Sequence, residues 1–391
     1  MRIGIFTDSY KPSVSGVVTS ITMLREGLEA LGHEVFIFCT TAKVIPDKDD
    51  DKVVRLSGIP FPFKSLSEYR FVLFAGRAIK KIDALKLDLI HVHTEFTIGQ
   101  LGFKAARKLK IPVVYTMHTL YEDYIHHISP FMEKHFRGEI VQILRTEVKK
   151  LVEKVDATFV PSEKIRKLVE EKIHCKGNVH IVPTGLNLDP FDKRQFSDYE
   201  IQILRKKYGL NDDDFVLLFV GRIAPEKNLS FLITAFKKML TKIDKVRFLI
   251  VGGGYYEEEL KSEIEKLDIG DKIVTTGFVE WKDLGIYYQL GNCFVNGSYT
   301  ETQGLTFVEA LAASRIILSV KDEAVEAIMQ EGYNGFYYKD EDEFIDVVNK
   351  IKSDPDLVKE MENNAYLSAQ PYSKENYTKR ALAVYESLIH K

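Results

Sequence analysis

Short apolar runs alternate along nearly the whole chain with longer stretches in which apolar residues recur every three or four positions. The short runs are rich in Val, Ile and Phe, which predicts strands, and the 3.6-residue spacing between them predicts helices. Strands alternating with helices in this way read as α/β with parallel sheets. In the first half, strands are predicted at 2–8, 35–40, 53–56, 89–93, 113–117, 157–161 and 179–182, with helices at 17–31 and 133–154 among others. The stretch 186–199 carries Asn187, Asp189, Pro190 and Asp192 and reads as a turn-rich linker. A second series follows, with strands at 215–220, 247–251, 273–276, 293–296, 316–320 and 335–338, and helices at 229–240 and 257–267. Two α/β units are expected, 1–190 and 191–372, followed by a helix in 373–391, with no sequence repeat between them. Ligands of open parallel sheets bind at the carboxyl ends of strands, so two such sheets facing each other are expected to enclose a cleft near the linker.

Length and composition fit this picture. The 391 residues suffice for two or three domains with ample core, and 45% hydrophobic with 28% charged residues is ordinary for a globular protein. No apolar run approaches the roughly 20 residues that span a bilayer. The strand pattern begins at the N-terminus, so no signal peptide is expected. Cys39, Cys175 and Cys293 are far apart and odd in number, which argues for a reducing cytoplasm rather than a disulfide framework or zinc site. The net charge of −3 hides an asymmetry: residues 1–180 hold 28 Lys and Arg against 22 Asp and Glu, and the remainder 26 against 35. A basic first half suits an anionic partner, either a lipid surface or nucleic acid. The basic surplus is small and no nucleic-acid-binding motif accompanies it, so nucleic acid is not expected.

The richest chemistry lies in Glu301-Thr-Gln-Gly-Leu-Thr-Phe-Val-Glu309. It reads as a loop after a strand, running into a helix N-terminus whose N–H groups favour an anion. Gly304 lets a ligand approach the backbone. Glu301 is expected in the loop and Glu309 one turn into the helix, both facing one pocket. A capping box is the competing reading, because Thr306 and Glu309 satisfy S/T-x-x-E. It explains neither Glu301 nor Gly304, and on spacing alone both readings stay open.

Arg222 and Lys227, in Gly221-Arg-Ile-Ala-Pro-Glu-Lys227, follow an apolar strand and suit a diphosphate; two solvated cations are the plain alternative. The cluster Gly252-Gly253-Gly254 fails the dinucleotide fingerprint at Glu257, and a tight turn explains it equally well. Gly16, after Ser13-Val-Ser, opens the first helix and could admit an anion or a sugar. His118 ends one predicted strand, and His93 with Glu95 ends another; His91 and His93 could also simply alternate with buried Val92. The acidic runs 49–51, 212–214 and 340–342 read as solvated turns, and no metal motif is present.

These segments resemble the E-x7-E motif of retaining nucleotide-sugar glycosyltransferases with two Rossmann-like domains, the GT-B fold of family 4 type. Within that group the chain is similar to the bacterial 1,2-diacylglycerol 3-glucosyltransferases. The resemblance spans essentially the whole chain and rests on Met1-Arg-Ile-Gly-Ile-Phe6, Ser15-Gly-Val-Val-Thr-Ser20, Glu29-Ala-Leu-Gly-His-Glu-Val35, His91-Val-His-Thr-Glu-Phe96, Tyr115-Thr-Met-His-Thr119 and Thr300-Glu-Thr-Gln-Gly-Leu-Thr306. It implies that residues 373–391 cross back to the first domain. UDP-glucose is the implied donor, diacylglycerol the acceptor, and no cofactor or metal is needed. Among the implied catalytic residues, Arg222 and Lys227 support the leaving diphosphate, and Glu301 and His118 support the sugar. Gly16, Gly253, Phe278, Gly304, Leu305, Thr306 and Glu309 complete the donor site, and His93, Glu95 and Tyr121 lie on the acceptor side. One departure stands out. Ser314-Arg-Ile316 and Lys321-Asp-Glu323 replace the glycine–proline turn and glycine pair usual in the wider family, which leaves the sugar pocket less predictable.

Residues 61–82 mix aromatic with basic residues. Leu66, Tyr69, Val72, Leu73 and Ile79 can form one face of a helix with Arg70, Arg77, Lys80 and Lys81 wet, a pattern that suits an anionic membrane interface or an ordinary helix on its sheet. With the resemblance, Arg70, Phe71, Phe74, Arg77, Lys80 and Lys81 are expected at the membrane, and the protein is expected to be cytoplasmic and peripheral on the inner face of the cell membrane. Rival readings are a soluble enzyme of the same fold acting on a glycan or small polyol, and a non-catalytic nucleotide-sugar-binding protein.

Overall fold

The computed structural model describes residues 1–41, 51–60, 70–72, 75–118 and 130–390. The chain forms two compact units, Met1–Leu186 with Lys374–Lys391, and Asn187–Ser373. In the first unit the strands are β1 Arg2–Phe6, β2 Glu34–Thr40, β3 Val53–Leu56, β4 Ile59–Pro60, β5 Arg70–Phe71, β6 Leu89–Val92, β7 Val113–Thr116, β8 Ala157–Val160 and β9 Val179–Ile181. Seven of them make one sheet in the order β3-β2-β1-β6-β7-β8-β9, with every pairing parallel. Strand order reverses between β1 and β6, and the carboxyl ends there are where an open parallel sheet takes ligands.

Alternation along the strands splits the first unit's core into two layers. Ile3, Ile5, Val35, Ile37, Leu89 and Phe159 point to one face and pack with the helix Gly16–Ala30 and the last helix, Lys374–Ile389. Phe6, Phe36, Phe38, Ile90 and Val92 point to the other, with Ile79, Ile82, Ile98 and Leu101.

The last helix is pinned by polar contacts as well as apolar ones. Tyr377 Oη lies 2.8 Å from Ser20 Oγ, Tyr385 Oη lies 2.6 Å from His91 Nδ1, and Lys374 pairs with Glu26 at 3.2 Å. It packs tightly on the first helix at Gly27, where a Cβ would lie 1.9 Å from Thr378 Oγ1. Gly27→Ala is therefore expected to destabilise the chain by about 1–3 kcal/mol through overpacking. A lower urea midpoint would show this; an unchanged midpoint would mean that the helix can give way at no cost.

In the second unit the strands are β10 Phe215–Val220, β11 Val246–Val251, β12 Ile273–Thr275, β13 Cys293–Asn296, β14 Ile316–Val320 and β15 Gly335–Tyr338. They form one parallel sheet in the order β12-β11-β10-β13-β14-β15, with its reversal between β10 and β13. The central strands β10, β13 and β14 are buried on both faces, which is why they read as continuous apolar runs.

Residues 61–82 do not form one helix. Arg70–Phe71 pairs antiparallel with Ile59–Pro60, and the helix begins only at Ala75 and runs to Ala84. The aromatic and β-branched residues around Phe71 and Val72 favour an extended chain. Ile79 sits in the core with Ala78 and Ile82 rather than on an outward apolar face, while Lys80 and Lys81 are exposed. Arg70 donates from Nη1 to the Gly58 carbonyl at 3.2 Å. Phe74, Leu66, Tyr69 and Leu73 lie outside the described residues, and Phe71 and Arg77 are described through their backbone alone. Among the described residues no helix is long and apolar enough to cross a membrane.

Candidate active site

In the second unit, the loops leaving β10, β11 and β12 are stitched together by their backbones. Gly221 N donates to the Val251 carbonyl at 3.0 Å, Ile223 N to the Gly253 carbonyl at 3.0 Å, and Gly252 N to the Gly277 carbonyl at 3.1 Å. The glycine cluster follows from this packing. Gly252 has φ +134°, and a Cβ on it would lie 1.9 Å from the Gly221 carbonyl oxygen; one on Gly254 would lie 2.0 Å from that of Ile223. The arrangement brings Arg222, Gly253 and Phe278 to the carboxyl ends of adjacent strands, with the Phe278 side chain 65% exposed.

Lys227 closes the 3₁₀ turn Pro225–Lys227 and reaches across to the loop after β13, where its Nζ meets Glu301 Oε1 at 2.6 Å. Glu301 is 7% exposed, so this ion pair lies in a poorly solvated setting where Coulomb attraction is strong. Arg222 leans outward and donates to Glu226 at 2.6 Å.

The helix Leu305–Ala312 is N-capped by Gly304 at φ +81°, where a Cβ would collide with the Phe307 ring at 2.6 Å. Leu305 and Thr306 are its first residues, and their backbone N–H groups belong to the unsatisfied first turn that favours an anion. Because Gly304 is the cap, Thr306 falls inside the helix and the capping box does not form. Glu309 instead turns to two donors that the sequence reading missed. Trp281 Nε1 donates to Oε1 at 3.0 Å and Tyr288 Oη to Oε2 at 2.7 Å. Burial pushes the Glu309 carboxyl up to about 7, against the opposing pull of these two hydrogen bonds. The edge of Phe191 against both aromatic rings keeps them in place. Trp281 is the chain's one tryptophan, set in a polar stretch, and that was the signal available in the sequence. Glu301 and Glu309 are thus held by different partners.

In the first unit, Gly16 is exposed at the start of its helix, behind Ser15, whose Oγ accepts from Val18 N at 3.3 Å. His93 and Glu95 follow β6, and His118 follows β7. His93 Nδ1 lies 2.8 Å from His118 Nε2, a pairing the sequence reading did not anticipate. Burial drives the imidazole of His118 down to about 4 and that of His93 well below its usual range, so both are neutral at pH 7. His91 is tied to Tyr385 and, through Nε2, to Thr116 Oγ1 at 2.6 Å, which makes it structural. Glu95 accepts a hydrogen bond from Tyr115 Oη. Tyr121 lies outside the described residues. Among the described residues no group of three or more His, Cys, Asp and Glu gathers that could hold a metal ion.

Each unit matches a family of sugar-transferring enzymes. Residues 14–190 match Glycosyltransferase Family 4, and residues 200–368 match Glycosyl transferases group 1. Together with two Rossmann-like units on parallel sheets, this defines a glycosyltransferase of the GT-B, family 4 type, and the chain belongs to that family. It is 39% identical to the alpha-monoglucosyldiacylglycerol synthase of Acholeplasma laidlawii, over 100% of this chain and 98% of that one. It is 35% identical to the alpha-monoglucosyldiacylglycerol synthase of Streptococcus pneumoniae, over 100% of this chain and 86% of that one. Among solved structures, Anabaena HepE in complex with UDP and glucose superposes with a TM-score of 0.75 over 99% of each chain; at 17% identity this speaks for the fold.

Proposed function

We propose that the protein transfers glucose from UDP-glucose to 1,2-diacylglycerol with retention of configuration, working as a peripheral protein on an anionic membrane surface. The observation that carries this reading is the 39% identity, along the whole chain, to a synthase of monoglucosyldiacylglycerol. The local chemistry agrees with it. Breaking the sugar–phosphate bond leaves negative charge on the departing diphosphate, and Arg222 and Lys227 are assigned to stabilise it. A well-placed donor of this kind is worth about 2.7–4 kcal/mol. Lys227 has three N–H donors, so it can keep Glu301 and still reach a phosphate oxygen. Two such cations do electrostatically what a magnesium ion would do, which is the basis for a metal-independent reaction. The nucleotide is assigned to Gly253, Phe278 and the helix start at Gly304, Leu305 and Thr306, with the ribose hydroxyls on Glu309. Glu301 takes the sugar hydroxyls and favours positive charge near the anomeric carbon. Gly16 and His118 are assigned to the donor sugar, and Glu95 and Tyr121 to the acceptor side.

Radiolabelled UDP-glucose and diacylglycerol in mixed micelles, with and without phosphatidylglycerol, test this directly. A labelled glucolipid that forms faster with the anionic lipid is the expected result. UDP release with no lipid product would move the acceptor to a soluble glycan or polyol, and no turnover at all would favour a binding protein. The exposed Lys80 and Lys81 give a separate check on the surface. At roughly 1 kcal/mol per basic residue, replacing both with alanine is expected to weaken binding to phosphatidylglycerol vesicles by about 30-fold. Unchanged vesicle binding would take the helix Ala75–Ala84 out of the membrane contact.

A further inference from the structure

The bond between His93 and His118 places a constraint on where their protons sit. The ring centroids are 5.1 Å apart and the planes within 22°, the separation expected when a 2.8 Å N···N bond lies nearly in the plane of both rings. In a neutral imidazole one nitrogen carries a proton and the other does not, so one ring donates and the other accepts. The remaining nitrogen of His93 decides which. His93 is 2% exposed, and its Nε2 is buried with no hydrogen-bond partner among the described residues. If His118 were the donor, the His93 proton would have to sit on that Nε2, giving a buried N–H with nothing to bond. Orphaned buried N–H groups are rarer than under-satisfied acceptors. If His93 Nδ1 is the donor, only a lone pair is left there.

We infer that His93 donates from Nδ1 to His118 Nε2 and thereby fixes His118 as the tautomer with its proton on Nδ1. His93 is then a positioning residue. With Nε2 occupied as an acceptor, the remaining ring function of His118 is an Nδ1–H, which donates. It meets a ligand as a neutral hydrogen-bond donor and has no basic nitrogen to offer. His91 supports the pair from the side, its ring centroid 4.1 Å from that of His93, and its own nitrogens are both engaged by hydroxyls. The tautomer follows from the geometry of two neutral buried rings; its bearing on sugar transfer rests on the function proposed above.

Nitrogen-15 NMR of the full chain, labelled at histidine and free of ligand, tests the tautomer, with His118→Gln used to assign the His118 signals. The expected spectrum gives His118 a pyrrole-like Nδ1 and a pyridine-like Nε2. A protonated Nε2 on His118 would overturn the inference. Transfer assays supply the second reading. His93→Leu is expected to lower turnover about tenfold with the donor KM within about twofold, which corresponds to about 1.4 kcal/mol of lost transition-state support. In His93→Asn the amide can still donate to His118, and most of the lost turnover is expected to return. Equal losses in the two variants, with the His118 signals unmoved in both, would make His93 a packing residue and refute the positioning role. The ligand-free spectrum decides the tautomer whatever the transferred sugar or acceptor proves to be.

Discussion

Glu309→Gln is expected to keep the fold, to lose most of its turnover and to become more stable than the parent at alkaline pH. The carboxyl sits against Trp281 and Tyr288 and titrates near 7 instead of 4.5 because it is buried. A glutamine can face its oxygen to the indole N–H and donate to the tyrosine oxygen, so packing survives. The charged acceptor that the proposed function assigns to the ribose does not. Two pH effects follow, with opposite signs. On the function proposed above donor binding uses the carboxylate, so in the parent protein it is expected to weaken as pH falls through about 7. The stability term runs the other way. With the folded-state value raised above the unfolded one, the proton's contribution is complete below about 4.5 and is lost as pH rises through about 7. That loss is on the order of 3 kcal/mol. Glutamine has no such term, so the gap between the urea midpoints of variant and parent should widen in the variant's favour from pH 5 to pH 8. Wild-type turnover in an intact variant would remove Glu309 from the site. A gap that does not change with pH would mean that the carboxyl titrates normally.

Lys227→Met is expected to cut turnover by about 10²–10³, the loss typical of removing one preorganised donor from a developing anion. It also takes the cation away from Glu301, which is nearly buried. Breaking a fully buried pair costs roughly 3–5 kcal/mol. Lys227 keeps 22% of its side chain exposed, so the cost here should be smaller, about 2 kcal/mol. The double variant Lys227→Met with Glu301→Gln separates the two effects. Its stability should return towards the parent value, because the charge that Lys227 paired is gone as well, while turnover stays low. Turnover that recovers along with stability would reduce the pair to a structural salt bridge.

Much of this architecture could be read from the residues. The runs 215–220, 293–296, 316–320 and 335–338 have the bounds in the structure that the sequence predicts, since strands covered on both faces need apolar residues throughout. Five of the seven predicted strands in the first unit end one or two residues earlier than expected; His93 and Met117, for example, fall in the loops after β6 and β7. The side-chain partnerships were less accessible. Trp281 and Tyr288 reach Glu309 from 28 and 21 residues away, and His93 reaches His118 across 25, distances set by how strands and loops are laid side by side. Local patterns misled where tertiary structure took over. Thr306 and Glu309 satisfy a capping box in spacing, yet the left-handed Gly304 starts the helix two residues earlier and leaves the carboxylate for other donors. The basic and aromatic stretch before Ala75 had the composition of an interfacial helix, yet its residues Arg70 and Phe71 pair as a strand.

The return of residues 374–389 to the first unit also bears on the order in which the molecule can be finished during synthesis. Its N-terminal sheet emerges early and the helix Gly16–Ala30 can cover part of one face, but the rest of that face, around His91 and Phe159, stays open until Tyr385 has been made. The second unit is continuous from Asn187 to Ser373 and can close as soon as it leaves the ribosome. At 5–20 residues per second, translating that second unit takes on the order of 10–40 s. For that interval a nascent chain carries an open apolar face, which makes it a natural client for a chaperone, and a message cut short after the second unit would yield a finished C-terminal half beside an unfinished N-terminal one.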